Sequence, residues 1–364
     1  MKPTKPRRKS DSLEDYRSQC DRFLLGHGPH TPAQLLAAIS PQLGIDRYGA
    51  GGAVAALEAE ICKVLGKPAA VFMPSGTMAQ QIALRIHADR RSSRVVAFHP
   101  TCHLEIHEDK AYQRLHDLVG VTVGNPRTLF TLDDLRAVKE PLAAVMWELP
   151  QREIGGVLPS WEDLKAQVAY VRKRGAAVHL DGARLWESTP FYGKTPAKIA
   201  ALFDTVYVSF YKGLGGLAGC CLAGEEDVID EARAWRRRHG GMLFGMWPNA
   251  ASAIDGLKKR LPKMGKYHEH AVRIAKKLEK VPNIEAVPNP PHTNMMRLHL
   301  RVSEKAMRAN AIRIARERRV FTWPASAPGH APSTRLVEFT VGDATLKFSP
   351  DEVAEILAEL VRQR

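Results

Sequence analysis

Two ionisable residues, Asp181 and Lys212, each follow a run of apolar residues and precede a glycine. The apolar runs cover residues 176–180 and 206–210, and such a pattern is typical of a buried strand that delivers one charged side chain to the edge of a sheet. Pyridoxal phosphate requires a pair of this kind, because it needs a lysine for its Schiff base and a carboxylate that keeps its pyridine nitrogen protonated. The alternative is a structural salt bridge between two strand ends, and the spacing alone fits both.

Strand-like and helix-like segments alternate from residue 54 onward and would position these two side chains. The predicted strands are residues 69–73, 94–98, 142–147, 176–180 and 206–210, and the predicted helices are 54–65, 75–88 and 161–174. Alternation of this kind predicts a largely parallel sheet with helices on both faces. Ligands on such sheets bind at the carboxyl ends of the strands, where Asp181 and Lys212 fall.

Ser75, Gly76 and Thr77 join a predicted strand to a predicted helix. Hydroxyl groups and free backbone N–H groups at a helix N-terminus form a favourable site for an anion, so these three residues are candidates for binding the cofactor phosphate. The alternative is an ordinary serine or threonine cap followed by a glycine turn.

Three histidines, His99, His103 and His107, are spaced at intervals of four residues and are followed by Glu108. On one helical face they could share a metal ion. However, Pro100 indicates a strand end and a turn, which would take His99 off that face. The sequence therefore favours His103 stacked on the cofactor ring over a metal site, and His107 could be merely a packed or exposed histidine.

Two arginines are candidates for binding a substrate carboxylate. Arg184 follows Asp181 on the same strand-end loop, and Arg335 opens a late predicted strand. A guanidinium offers two parallel hydrogen bonds that match a carboxylate. For Arg335 the alternative is a solvated arginine at the start of a strand.

The composition limits the class of protein. The chain has 364 residues, 45% of them hydrophobic, and a formal net charge of +14. Its apolar runs are too short for a membrane span, and its five cysteines form no framework, which predicts reduced thiols and a cytoplasmic protein. The positive charge would suit nucleic acid, but no recognised nucleic-acid-binding motif accompanies it, so anionic substrates explain it equally well.

The alternating strand-like and helix-like segments give way near residue 250 to long, basic helical segments, which suggests two domains. Residues 1–25 are predicted to form a basic disordered tail, and residues 26–250 a large cofactor-binding domain. Residues 251–364 are predicted to form a smaller α+β domain, with strands at 294–302 and 334–341 and helices at 250–261, 266–281 and 303–319. A last helix is expected to begin at Pro350, with Ser349 as its N-cap.

Taken in order, these motifs resemble a known enzyme family. The motif residues are Tyr48-Gly49, Pro74-Ser75-Gly76-Thr77, His103, Asp181-Gly182-Ala183-Arg184, Lys212-Gly213-Leu214-Gly215 and Thr293-Asn294-Met295. Their order and approximate spacing are similar to those of fold-type-I pyridoxal-phosphate enzymes, and within that group to the threonine aldolases and β-eliminating lyases. The resemblance implies an aspartate-aminotransferase-like large domain with a mostly parallel sheet and a smaller C-terminal α+β domain.

The resemblance also implies roles for individual residues. Lys212 would form the Schiff base and Asp181 would pair with the pyridinium nitrogen, while His103 would stack on the ring. Gly76 and Thr77 would bind phosphate, and Arg184 with Arg335 would bind the substrate carboxylate. One departure is clear, because the family's mid-chain histidine is missing from the segment 148–156 of this chain.

The expected function is that of a lyase of amino-acid metabolism. The resemblance implies retro-aldol cleavage of a threonine-like β-hydroxy-α-amino acid to glycine and an aldehyde, in a homodimer or homotetramer. The alternatives are β-elimination, transfer to another aldehyde or transamination, since the missing histidine could alter the reaction. A remote alternative is a non-catalytic basic protein that binds nucleic acid on this scaffold. The proton acceptor stays open between His103 and a water held by Glu108 or by residues 151–153.

Overall fold

The computed structural model describes residues 12–40, 42–323, 326–329, 331 and 333–363. Among these residues the chain forms two compact units. The large unit is His30–His268, and the small unit combines the chain before His30 with the chain after His268.

The described residues form strands β1 to β13 and helices α1 to α14, with four short 3-10 helices at Leu13–Gln19, Arg152–Ile154, Leu261–Lys263 and Thr345–Lys347. The strands are β1 (Arg22–Phe23), β2 (Ala69–Met73), β3 (Val95–Phe98), β4 (Val119–Thr122), β5 (Ala144–Glu148), β6 (Ala177–Gly182), β7 (Thr205–Ser209), β8 (Cys220–Gly224), β9 (Ile284–Val287), β10 (Met295–Leu300), β11 (Val320–Phe321), β12 (Ala327–Pro328) and β13 (Arg335–Thr340). The helices are α1 (Pro32–Ala37), α2 (Gly52–Leu65), α3 (Gly76–Arg91), α4 (His103–Ile106), α5 (Ala111–His116), α6 (Leu132–Ala137), α7 (Trp161–Lys173), α8 (Leu185–Tyr192), α9 (Pro196–Ala200), α10 (Glu226–Arg238), α11 (Trp247–Arg260), α12 (Met264–Leu278), α13 (Glu304–Arg318) and α14 (Pro350–Leu360).

A seven-stranded sheet forms the centre of the large unit, in the order β2-β8-β7-β6-β5-β3-β4. All its neighbouring pairs are parallel except those made by β8, which runs antiparallel between β2 and β7. The predicted, largely parallel sheet is therefore confirmed, and each of the five predicted strands is present. Strands β4 and β8 were not predicted from the sequence. Strand β8 reads Cys-Cys-Leu-Ala-Gly, which contains no β-branched or aromatic residue to signal a strand.

Helices α2, α3, α7 and α10 pack on this sheet. Helix α2 presents Val54, Leu57, Ile61 and Leu65 to the core and ends at Gly66, whose left-handed conformation stops the helix where the sequence predicted a break. Helix α3 packs on β6, β7 and β8 and contributes Ile82 and Ile86 to a fully buried apolar cluster. Helix α3 is thereby packed against the strands whose carboxyl ends carry the predicted site.

The small unit contains a four-stranded antiparallel sheet, in the order β12-β13-β10-β9. Strands β1 and β11 form a separate parallel pair. Helices α13 and α14 pack together, and α14 begins at Pro350 with the Ser349 side chain accepting a hydrogen bond from the backbone N–H of Glu352, as predicted.

The boundary between the units differs from the predicted one at residue 250. Helix α11 packs against α2 and so belongs to the large unit, and α12 runs across the division at His268. Residues 1–11 of the predicted tail lie outside the described residues, whereas Leu13–Gln19 is helical and Arg22–Phe23 pairs with β11, because Leu13 and Leu24 are buried. No helix among the described residues is long and apolar enough to cross a membrane.

Candidate cofactor and active site

One pocket of the large unit brings together residues from α3, from the start of α4 and from the carboxyl ends of β6 and β7. Its lining residues are Gly76, Thr77, Gln80, His103, Glu108, Asp181, Tyr207, Tyr211 and Lys212. Six of these residues were singled out in the sequence, namely Gly76, Thr77, His103, Glu108, Asp181 and Lys212. The pocket lies beyond the carboxyl ends of the parallel strands, which is where ligands bind in sheets of this kind.

Asp181 reaches the pocket from the end of β6 and is only 2% exposed. Its neighbours in strand register are Glu148 on β5 and Tyr207 on β7. The backbone N–H of Ala183 donates to Asp181 Oδ1 at 3.0 Å. Burial raises the pKa of Asp181, and the positive charge of Lys212 acts in the opposite direction. A buried carboxylate that the protein itself satisfies this sparsely is suited to pair with a cationic ligand group.

Lys212 follows β7 and lines the same pocket. Burial lowers the pKa of Lys212, and the nearby charge of Arg184 lowers it further, while Asp181, Glu148 and Glu187 oppose the shift. A lowered pKa increases the fraction of neutral amine near neutral pH. Only the neutral amine is a nucleophile, so Lys212 has the property required of a lysine that attacks a carbonyl group.

The absence of a side chain at Gly213 leaves room for a close contact immediately after Lys212. A Cβ atom at Gly213 would lie 2.1 Å from Glu187 Oε1, and Glu187 is buried in α8. Burial raises the pKa of Glu187, and the backbone N–H of Gly213 and the charge of Arg184 act against that shift. The glycine after the lysine therefore allows the chain to pass directly over a buried carboxylate.

The N-terminus of α3 forms another wall of the pocket. Ser75 is its N-cap, and its hydroxyl accepts a hydrogen bond from the backbone N–H of Met78 at 3.3 Å. The Ser75 side chain is thus occupied in capping, whereas Gly76 and Thr77 line the pocket. A Cβ atom at Gly76 would lie 2.1 Å from the hydroxyl oxygen of Tyr207, so only glycine fits between α3 and β7 at this point.

Replacing Gly76 by alanine is expected to weaken binding of pyridoxal phosphate about tenfold or more, because the added methyl group must displace Tyr207 or the first turn of α3. The measurement is the dissociation constant of the cofactor from the apoprotein, by fluorescence titration. Gly265→Ala is the matched control, since no atom lies within 4 Å of a Cβ there. Equal cofactor affinity in the Gly76 and Gly265 variants would contradict this assignment.

His103 opens α4 and is held from two sides. Its backbone N–H donates to Glu148 Oε2 at 3.1 Å, and its Nδ1 lies 2.9 Å from Glu108 Oε1. The Glu108 side chain is 2% exposed, whereas the His103 side chain is 39% exposed. Glu108 Oε2 has no further hydrogen-bond partner within the described part of the chain. The buried carboxylate thus holds the Nδ1–H tautomer of His103 and leaves Nε2 as a proton acceptor.

The other two histidines, His99 and His107, have contacts different from the His103–Glu108 pair. His99 directly follows β3, and its Nε2 lies 2.8 Å from the backbone carbonyl oxygen of Thr128, so it lies off the His103 face, as predicted. The ring of His107 is 5.1 Å from that of His103, and its Nε2 lies 3.0 Å from Glu153 Oε1. In the described ranges, no group of three histidine, cysteine, aspartate or glutamate residues is arranged to hold a metal ion.

The two predicted carboxylate-binding arginines lie in different units. Arg184 is the residue before α8 in the large unit, close enough to Lys212 and Glu187 for its charge to affect the pKa of both. Arg335 opens β13 in the small unit, where its Nε donates to Ser326 Oγ at 2.9 Å.

Sequence reasoning missed four pocket or near-pocket residues: Gln80, Tyr207, Tyr211 and Glu187. A signal was available for Gln80, which lies one helical turn after Gly76 and so on the same face of α3. Tyr207 was visible only as an apolar strand residue, because its role as a wall follows from the packing of α3 on β7.

The sequence matches the β-eliminating lyase family over residues 30–303. This chain belongs to that family. It is 28% identical to low-specificity L-threonine aldolase 1 of Arabidopsis thaliana over 73% of this chain and 77% of that protein. It is 29% identical to the low specificity L-threonine aldolase of Escherichia coli (strain K12), over 68% of this chain and 75% of that one.

Solved structures agree with the family assignment. A candidate L-allo-threonine aldolase from Listeria monocytogenes is 41% identical, with a TM-score of 0.90 over 96% of this chain and 98% of that chain. An alanine–glyoxylate aminotransferase from Nostoc shares the fold at 16% identity, with a TM-score of 0.69 over 99% of this chain and 98% of that chain. The predicted family and the fold-type-I architecture are therefore confirmed, as is the prediction of a lyase that uses pyridoxal phosphate.

The residues present fit this cofactor. A buried carboxylate and a lysine of lowered pKa line one pocket, and a Cβ atom would fill the space left by Gly76 at the helix N-terminus. Asp181, Lys212 and the first turn of α3 thus offer a carboxylate, an amine and backbone N–H groups to the three parts of pyridoxal phosphate that need them.

Proposed function

We propose that this member of the β-eliminating lyase family is an aldolase that cleaves a threonine-like β-hydroxy-α-amino acid to glycine and an aldehyde. The observation that carries the proposal is the His103–Glu108 pair, which places a proton acceptor in the same pocket as Lys212 and Asp181. The three relatives named above, each called a threonine aldolase, support the same reaction class.

The cofactor-binding roles follow from the pocket. Lys212 would supply the amine for the covalent link, and Asp181 would stabilise the protonated pyridine nitrogen. Gly76 and Thr77 bind the phosphate, while Ser75 contributes by capping the helix that presents them. His103 would stack on the ring, as the family resemblance implies. When bound, pyridoxal phosphate supplies a carbonyl group for the lysine or substrate amine and a ring that accepts the electron pair of a breaking bond.

Substrate binding is assigned to the arginines. Arg184 binds the substrate carboxylate through its guanidinium, because its positive charge already acts at Lys212 and Glu187. Arg335 is proposed as a second carboxylate ligand, as the family resemblance implies. The substrate amine would displace Lys212 from its covalent link, and the freed Lys212 amine would take up the proton that the substrate amine loses.

The proton acceptor is assigned to His103. Glu108 accepts a hydrogen bond from Nδ1–H, so Nε2 is free to take the proton of the substrate β-hydroxyl. The charge that develops on the imidazole is balanced by the buried Glu108 carboxylate. This arrangement supplies a base although the chain has no histidine between Glu148 and Gly156.

β-Elimination is the second candidate, favoured by the mid-chain segment. Glu153 contacts His107 beside His103, and the backbone N–H of Arg152 donates to Glu148 at 3.1 Å. These contacts place the Glu153 carboxylate in the segment where the family resemblance implies a histidine, and a changed proton relay favours loss of a β-substituent.

Incubation with a panel of β-hydroxy-α-amino acids of both configurations tests the proposal. We expect acetaldehyde and glycine from threonine or allo-threonine, measured by aldehyde reduction coupled to loss of NADH absorbance. Pyruvate from serine or cysteine, without any aldehyde from the panel, would instead establish elimination and overturn the aldolase assignment.

A homodimer or homotetramer is proposed as the working form. Support comes from two exposed aromatic residues of the large unit: Tyr48 is 53% exposed and Phe244 is 66% exposed, and their rings meet edge to face at 5.4 Å. Large exposed apolar groups in contact are typical of surfaces that are covered in an assembly. The cytoplasmic location stays a prediction from the cysteine pattern.

A further inference from the structure

A chain of four buried polar side chains runs beneath the pocket. Gln80 Oε1 lies 2.6 Å from His179 Nε2, and His179 Nδ1 lies 2.8 Å from the hydroxyl oxygen of Thr205. His87 Nε2 contacts the same hydroxyl oxygen at 2.8 Å. The four residues are between 0% and 3% exposed, and only Gln80 lines the pocket.

The protonation of this chain is restricted by burial. Burial lowers the pKa of both His87 and His179 to about 3, so each ring is neutral and carries one N–H. The Thr205 hydroxyl can donate one hydrogen bond, and it contacts both rings. If His179 Nε2 donates to Gln80, the Thr205 hydroxyl must donate to His179 Nδ1 and His87 must donate to Thr205. If Gln80 instead donates to His179, His179 donates to Thr205, whose proton then goes to His87 or to another acceptor.

The charges around the pocket select the direction. His179 and Asp181 are alternate residues of β6 and so lie on the same face of the sheet, which places Gln80 at the Asp181 side of the pocket. An amide oxygen turned into a pocket lined by Asp181 and Glu108 would face two carboxylates, whereas an amide N–H₂ group is attracted by them. His87 thus donates to Thr205, Thr205 donates to His179, and His179 donates to Gln80 Oε1.

The amide nitrogen of Gln80 is then left facing the pocket. None of the described residues accepts a hydrogen bond from this nitrogen, although the residue is only 1% exposed. Because this nitrogen is also absent from the fully buried atoms that lack a partner, it opens into the pocket that Gln80 lines, where a bound ligand can supply the acceptor.

We propose that Gln80 is a cofactor-binding residue whose amide N–H₂ group donates to an acceptor atom of pyridoxal phosphate, and that the chain of His179, Thr205 and His87 fixes the direction of that amide. Without the chain, a glutamine can present either its oxygen or its nitrogen. The role concerns cofactor binding and is independent of which amino acid the enzyme cleaves.

Two substitutions of Gln80 test the donor. Gln80→Glu keeps an acceptor for His179 Nε2 but removes the donor and adds a negative charge, and we expect the dissociation constant of pyridoxal phosphate at pH 8 to rise at least about tenfold. Gln80→Leu removes both functions, and we expect a rise of about fivefold to tenfold. The readouts are fluorescence titration of the apoprotein with the cofactor and its thermal unfolding midpoint. Gln81→Leu is the matched control, because Gln81 is equally buried on α3 but outside the pocket lining, and its cofactor affinity should match the unsubstituted protein.

A double-substitution cycle tests the positioning role. Thr205→Val removes the hydroxyl with little change of shape, and we expect a few-fold weaker cofactor binding because the His179 tautomer is no longer fixed. In the Gln80→Leu background the same change should leave the cofactor affinity unaltered. Unchanged affinity in folded Gln80→Glu and Gln80→Leu proteins would overturn the donor role. An equal effect of Thr205→Val in both backgrounds would overturn the positioning role.

Discussion

Replacing Lys212 by alanine is expected to abolish the visible absorption of the lysine-bound cofactor and to lower turnover by at least about a thousandfold. The reason is that the pocket holds one lysine, whose pKa is lowered by burial and by Arg184, and its amine is the group that can form a covalent link there. The measurement combines the absorption spectrum of the reconstituted protein with the rate of aldehyde release.

Reduction with borohydride gives an independent readout of the same assignment. The reagent adds hydride to the carbon–nitrogen double bond between lysine and cofactor, so the cofactor stays on the peptide that contains Lys212. Lys67→Met is the matched control, since Lys67 also has a pKa lowered by burial but lies outside the pocket lining and donates to the carbonyl of Phe203. Trapping on another lysine, or a normal spectrum in Lys212→Ala, would show that the site lies elsewhere.

Replacing Asp181 by alanine is expected to weaken cofactor binding about tenfold to a hundredfold, the effect of losing a charged hydrogen bond in a buried site. Turnover should fall more steeply than affinity, because a ring nitrogen without a proton is a poorer electron acceptor. The measurements are the dissociation constant of pyridoxal phosphate and the turnover rate at saturating cofactor.

A chemically altered cofactor separates the charge of Asp181 from its shape. N-methylpyridoxal phosphate carries a permanent positive charge on the ring nitrogen, and alanine at position 181 leaves space for the methyl group. We therefore expect this analogue to restore part of the turnover of Asp181→Ala but to work poorly in the unsubstituted protein. Full activity of Asp181→Ala with the ordinary cofactor would rule out the proposed pairing.

Two carboxylates, Asp181 and Glu148, lie close together at the ends of neighbouring strands, and their negative charge affects how the cofactor is held. Asp181 and Glu148 are opposite each other in neighbouring strands, and burial together with the Asp181 charge raises the pKa of Glu148. Lys212 is the cation that acts on both carboxylates. A cofactor with a protonated ring nitrogen would add a second positive charge where the protein has an excess of negative charge.

The sequence by itself determined the frame of the molecule and the chemistry of its centre. Alternating apolar segments predicted the parallel sheet, and five strands and the cap of α14 lie where the pattern placed them. Glycine after Asp181 and after Lys212 marked two strand ends, because a charged residue that follows a buried run can be accommodated only at a sheet edge. Such local signals are readable because each depends on neighbouring residues alone.

Only the tertiary structure decided which side chains share the pocket with Asp181 and Lys212. Glu108 supports His103, Tyr207 excludes any side chain at position 76, and Gln80 is aligned by His179. The contacts of Gly76 with Tyr207 and of Gln80 with His179 join residues far apart in the chain, so no spacing rule reveals them. Glu108 is near His103 in the sequence, but its side-chain contact with Nδ1 depends on the fold of the loop after α4. These contacts arise because α3 and α4 are packed against the ends of particular strands, and strand order is a property of the whole sheet.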